Sequence, residues 1–237
     1  GKSKQCSVVD TKNPKTMGPY MNDDLMNTKV VMEQKMEHAL NVVIPRVLKE
    51  FAEISGREYG LVQQYGDKNA ATCMVALNTA GEAAKDAVDL LDRKDEKVNL
   101  VIPMLLRPWP ENQISDAVGA AKKILVAERA TQYGANNFMA NELGAALQKK
   151  GNNAKIIQRT YGMGGLNFRL DDALYLYDLI KKWPNVEDEN EKREKWYYGV
   201  WAGDPSYNPP VVVEPIKTED CSINAKLERP NLKELSK

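Results

Sequence analysis

Residues 97–127 read KVNLVIPMLLRPWPENQISDAVGAAKKILVA: an apolar run, a loop with three prolines, an amphipathic stretch and a second apolar run. Short, uniformly apolar strands on either side of a helical segment belong to a parallel sheet that is covered on both faces. Working outward, the same alternation recurs. An apolar run at 71–77 leads to a helical pattern at 81–91, and the run at 97–102 to one at 111–118. The run at 122–127 leads to a helical pattern at 136–149, and 154–158 leads to 171–182. These units repeat in architecture and not in sequence. They predict an α/β fold with three layers, a mostly parallel sheet between helices.

The flanks have a different character. Residues 1–22 are polar, proline-bearing and aperiodic, and read as an extended arm. Residues 23–60 read as a long kinked helical linker. Leu25, Val30, Met32, Met36, Leu40 and Val43 fall at helical spacing, Pro45 is expected to kink or restart the helix, and Gly56 to stop it. The α/β domain is expected over 61–183. Residues 184–237 open with a charged run and continue with scattered prolines, as an extended tail. Trp196, Tyr197, Tyr198 and Trp201 cluster in that tail and are the side chains suited to anchor it on a partner.

Composition narrows the function. The 33 basic residues balance the 33 acidic ones, so the chain lacks the basic footprint of a nucleic-acid binder. The longest apolar runs are too short to span a bilayer, and the opening residues carry no apolar core of a secretory signal. The chain begins at Gly1, which fits either loss of an initiator methionine or a piece of a longer polypeptide. Cys6, Cys73 and Cys221 are odd in number and widely spread, which suits reduced thiols in the cytoplasm better than a disulfide framework, a zinc site or a cluster. No metal ligand set is expected.

In open parallel sheets, ligands and partners gather at the carboxyl ends of the strands. Those ends supply the ligand or interface candidates here: Asn78 and Thr79 after the first strand, Arg107 and Trp109 in the proline loop, Glu128 after the third strand and Arg159 after the fourth. The prolines restrict the second loop, so Arg107 is presented at a defined place. It could hold a carboxylate, a phosphate or a partner surface. The commoner arrangement is an internal Arg107–Glu128 pair that ties two loops together.

Other motifs weaken on inspection. Glycines stand at 162, 164 and 165, but position 167 is Asn and the run follows the last strand, so it is not a dinucleotide fingerprint. There is no G-x-x-x-x-G-K-Ser/Thr phosphate loop. His38, the only histidine, lies in the first helix, far in sequence from any nucleophile. Catalytic residues are therefore not expected on this chain.

Four stretches, VVDTKNPKTMGPY, YGLVQQYGDKNAATCMVALNTAGEAAKDAVDLL, KVNLVIPMLLRPWPENQISDAVGAAKKILVAERA and YGMGGLNFRLDDAL, occur in that order. Together they resemble the C-terminal half of the alpha subunit of 2-oxoacid:ferredoxin oxidoreductases of the pyruvate synthase type. The resemblance covers about residues 8–180. It implies a fold like the C-terminal domain of transketolase. It also implies a place in a multi-subunit enzyme that interconverts a 2-oxoacid and coenzyme A with an acyl-CoA and CO2. That enzyme would use thiamine diphosphate, Mg and 4Fe-4S clusters, with CoA as a substrate and none of the cofactors on this chain. Its partners would be the thiamine-binding and cluster-binding subunits, and ferredoxin through the complex. The alternative is a free-standing α/β module that binds an anion or CoA, without redox chemistry.

Overall fold

A computed structural model describes Lys12 and residues 26–182. The expected arm, most of it, and the expected tail with its anchors Trp196, Tyr197, Tyr198 and Trp201 lie outside the described residues.

Five strands form one sheet: β1 (Val62–Gly66), β2 (Thr72–Ala76), β3 (Asn99–Pro103), β4 (Lys123–Glu128) and β5 (Lys155–Thr160). Their order is β1-β3-β2-β4-β5. β1 runs antiparallel to β3, and all other neighbours are parallel. Every residue of β2 and β3 is buried, which explains their unbroken apolar character. The fold class expected from the sequence is the one observed, with β1 as an additional strand. β1 reads VQQYG and is only half buried, because it is the sheet edge.

Helices α3 (Asn78–Asp92) and α6 (Leu170–Lys182) cover one face, and α4 (Glu111–Val118) and α5 (Phe138–Lys149) cover the other. This division follows from right-handed crossovers: the sheet grows from β2 to β3 in one direction, then from β2 through β4 to β5 in the other. α3 approaches closely through Ala80, Ala84 and Ala87, all fully buried. At Gly81 a Cβ would stand 2.9 Å from Ile102 Cδ1, so the glycine lets the helix lie against β3.

Element ends differ from the sequence expectation by a few residues. α3 begins at Asn78 and not at 81, because Asn78 turns the chain at once with φ 49. α5 begins at Phe138 and not at 136, since Asn136 and Asn137 are held by side chains from β5. β5 runs two residues further, to Thr160.

Buried polar groups bind the layers together. Asn99 is fully buried; its Nδ2 donates to the carbonyls of Ala117 (2.9 Å) and Val118 (3.1 Å) at the end of α4. Its Oδ1 accepts from Gln64 Nε2 on β1 at 3.0 Å. From α6, the buried Tyr177 hydroxyl donates to the Asn99 carbonyl at 3.0 Å. One asparagine thus ties the edge strand, a central strand and helices on both faces.

Ahead of the sheet, α1 (Asn27–His38), a π turn (Ala39–Val43) and α2 (Ile44–Ser55) follow one another. The ring of Pro45 would crowd the carbonyl four residues back, and the wider turn before it takes up that crowding. Gly56 ends α2 in the left-handed region, φ 68, as its position after the last apolar residue suggested. Neither helix has a fully buried residue. Leu48 and Ala52 of α2 face Tyr59, Leu61 and Gln113 across a groove of about 430 Å³. Val47, Phe51 and Ile54, at i, i+4 and i+7, are exposed on the other edge of the helix. Among the described residues, no helix is long and apolar enough to cross a membrane.

Candidate functional site

The strand order reverses between β2 and β4: β2 leaves toward β3 and β4 leaves toward β5. The carboxyl ends of these two strands form the topological switch point, where open α/β sheets place their ligands. Asn78 and Thr79 stand there, exposed in the first turn of α3. Glu128, the last residue of β4, stands beside them in the sheet but is buried, at 5% exposure.

Glu128 Oε2 accepts the Met139 N–H at 3.0 Å, so the carboxyl caps the first turn of α5. Burial pushes its pKa above the ordinary glutamate range, and the Met139 hydrogen bond partly opposes this. The expected Arg107–Glu128 pair is not made. Arg107 Nη2 donates to Glu142 Oε1 at 2.9 Å instead, and its guanidinium carbon lies 4.1 Å from the Phe138 ring centroid. The proline loop, with a cis Arg107–Pro108 peptide, crosses the face that carries α4 and α5. The arginine therefore meets α5 from the outside while Glu128 meets it from within.

Trp109 packs edge-on against the same Phe138, with centroids 5.9 Å apart. Its Nε1 is buried and has no hydrogen-bond partner among the described residues. Arg159 lies within β5, 4% exposed, with Nη1 donating to the Gln158 carbonyl at 2.7 Å. Of the six candidates, then, Arg107, Trp109 and Glu128 converge on the start of α5, Asn78 and Thr79 stay at the start of α3, and Arg159 is part of the sheet.

Three residues not singled out in the sequence complete the site. Asn137 N–H donates to Gln158 Oε1 and Asn137 Nδ2 to Thr160 Oγ1, both at 2.8 Å. Thr160 Oγ1 in turn donates to the Ala130 carbonyl at 3.3 Å. All three side chains are buried, and they fasten the loop leaving β4 onto the end of β5. Their only sequence signal was amide and hydroxyl residues where an apolar strand ends. Arg129 lies against Gly162, where a Cβ would come within 3.3 Å of its Cδ.

This arrangement braces loops. A second cavity, about 380 Å³, lies beside Tyr65, Asp89 and Lys97, and neither cavity is lined by a switch-point candidate. Among the described residues no group of three or more His, Cys, Asp or Glu side chains is placed to hold a metal ion. Cys73 is buried in β2, where desolvation pushes its thiol pKa far up. An iron–sulfur cluster is held by several converging cysteine thiolates, and Cys73 is the single cysteine among the described residues, so these residues do not supply such a set.

The fold and its braced loops define a three-layer α/β domain. Residues 70–173 match the family model described as pyruvate:ferredoxin oxidoreductase core domain II. Over those residues the chain is similar to a domain of the pyruvate:ferredoxin oxidoreductase family, in line with the resemblance in its sequence. It is similar to pyruvate synthase subunit PorA of Methanocaldococcus jannaschii, 30% identical over 78% of this chain and 46% of the relative. The corresponding subunit of Thermotoga maritima is 29% identical over 68% of this chain and 41% of the relative. Ketoisovalerate oxidoreductase subunit VorA of Pyrococcus abyssi is 26% identical over 81% and 49%. The chain spans less than half the length of these relatives.

Proposed function

We propose that the chain is a domain or split subunit of a multi-subunit 2-oxoacid:ferredoxin oxidoreductase, with pyruvate the favoured substrate, acting in the cytoplasm. The assembly interconverts 2-oxoacid and CoA with acyl-CoA and CO2, and this chain organises it without supplying catalytic residues. The observation that carries the reading is the match over residues 70–173 to a core domain of such enzymes. The brace at the start of α5 supports a structural part, because Arg107 and Glu128 are both engaged within the domain. A free-standing anion or CoA module would need an arginine at the ligand's disposal, whereas Arg107, though 59% exposed, is engaged by Glu142 and Phe138.

In this reading thiamine diphosphate, Mg and the 4Fe-4S clusters reside on partner subunits, and ferredoxin meets those subunits. Asn78 and Thr79 offer the exposed part of the switch point to a neighbour. Residues 1–22 and 184–237 clamp the partners, with Trp196, Tyr197, Tyr198 and Trp201 as anchors. Native mass spectrometry of material purified through a tag on this chain tests the proposal. Masses of thiamine- and cluster-bearing chains bound to it are expected; the tagged chain on its own would overturn it.

A further inference from the structure

Between β4 and α5 the chain folds into a narrow turn, closed by a bridge between Gln132 and Ala135. At its tip Tyr133 takes φ 30 and Gly134 φ 89. Two successive residues at positive φ make a tight turn that suits Asn, Asp or Gly, whose small or self-bonding side chains tolerate it. Tyrosine is a poor choice for that backbone, since a bulky Cβ substituent disfavours positive φ. Among the described residues the ring recovers nothing, because it is 99% exposed. Strain of this kind persists where a function needs the side chain at that place.

The base of the turn is rigid. Gln158 holds Asn137 N–H at 2.8 Å and donates its own Nε2 to Asn136 Oδ1 at 3.2 Å. On the other arm, Thr160 holds the Ala130 carbonyl. Buried side chains thus fix both legs of a turn whose tip is bare of contacts among the described residues, beside the switch point.

We propose that Tyr133 is a docking knob, inserted into an apolar-walled pocket with an acceptor for its hydroxyl on another subunit of the oxidoreductase assembly; this rests on the assembly reading above. A small molecule is the wrong occupant, because such ligands are buried in concave sites and this ring protrudes. Nucleic acid and a membrane surface are also poor fits, since residues 130–137 carry no charged side chain. A rigid aromatic with few rotors is what binding hot spots use.

The test compares Tyr133→Asn and Tyr133→Phe with the unmodified full chain, co-expressed with the other subunits. It reads dissociation of the assembly on dilution and the melting temperature of the chain alone. Asn suits the turn, so Tyr133→Asn is expected to raise the melting temperature while weakening association by about tenfold or more. Tyr133→Phe is expected to retain most of the association. Unchanged association in Tyr133→Asn overturns the knob and leaves the assembly reading standing. Weakened association together with a lowered melting temperature also overturns it, because the tyrosine would then be part of the turn's own structure. A variant that alters only self-association overturns the choice of partner. An unmodified chain that binds no other subunit sinks both this proposal and the assembly reading.

Discussion

Arg107 and Glu128 close on the first turn of α5 from two sides and do not meet. Arg107 reaches Glu142 Oε1 at 2.9 Å and stacks on Phe138, whereas Glu128 accepts the Met139 N–H at 3.0 Å. The start of α5 is therefore the common anchor of the loops that leave β3 and β4.

Truncating the outer grip has a modest expected effect. Arg107 and Glu142 are 59% and 35% exposed, so the ion pair contributes roughly 0.2–1 kcal/mol. Stacking on Phe138 adds about 0.5–1 kcal/mol. Arg107→Ala is expected to lower stability by about 1 kcal/mol in denaturant unfolding. A double-mutant cycle should show coupling between Arg107 and Glu142, and simple additivity between Arg107 and Glu128.

The inner grip carries a pH signature. Burial raises the Glu128 pKa in the folded chain. A raised folded pKa means that the native state holds the proton more tightly than the unfolded chain, so this group stabilises at low pH. That contribution is lost as pH rises from about 4.3, the ordinary glutamate value, through the folded pKa. Glu128→Gln keeps an acceptor for Met139 without a charge. Its melting temperature should fall less than that of the unmodified chain over this range, as measured by thermal scans across pH.

Asn99 is the buried polar link among β1, α4 and α6; its removal takes the side-chain donor from the Ala117 and Val118 carbonyls and leaves Gln64 Nε2 with its bond to the Gly66 carbonyl. Asn99→Leu is expected to cost about 2–4 kcal/mol, from two buried carbonyls that lose this donor. Chemical denaturation measures this, and an amide exchange experiment should show β1 loosened first.

Gly119 ends α4 with φ 64, and a Cβ there would stand 2.2 Å from the Lys68 carbonyl oxygen. Because the obstacle is backbone, no rotamer relieves it. Gly119→Ala is expected to destabilise by about 1–3 kcal/mol or more, visible as a melting point lower by roughly 3–10 °C.

The parallel core was legible because β2 through β4 are buried on both faces and so read as apolar runs. β1 was not: an edge strand of Val, two Gln, Tyr and Gly satisfies one neighbour only and has no such run. Helix starts slipped where a single residue, Asn78, turned the chain at positive φ. The partner of Arg107 lies 35 residues further on, in a helix whose facing side no spacing rule gives, so nearness along the chain favoured Glu128 wrongly. Asn137, Gln158 and Thr160 were unreadable for a related reason, since each becomes meaningful only when β4 and β5 are side by side.

In the function proposed above, this chain serves a 2-oxoacid:ferredoxin oxidoreductase without carrying its chemistry. Pyruvate- and CoA-dependent reduction of a viologen dye, assayed on the purified chain and on the assembly isolated through it, tests that most directly. The account predicts dye reduction by the assembly and none by the chain alone; reduction by the chain alone, or an assembly inert toward every 2-oxoacid supplied, would contradict it.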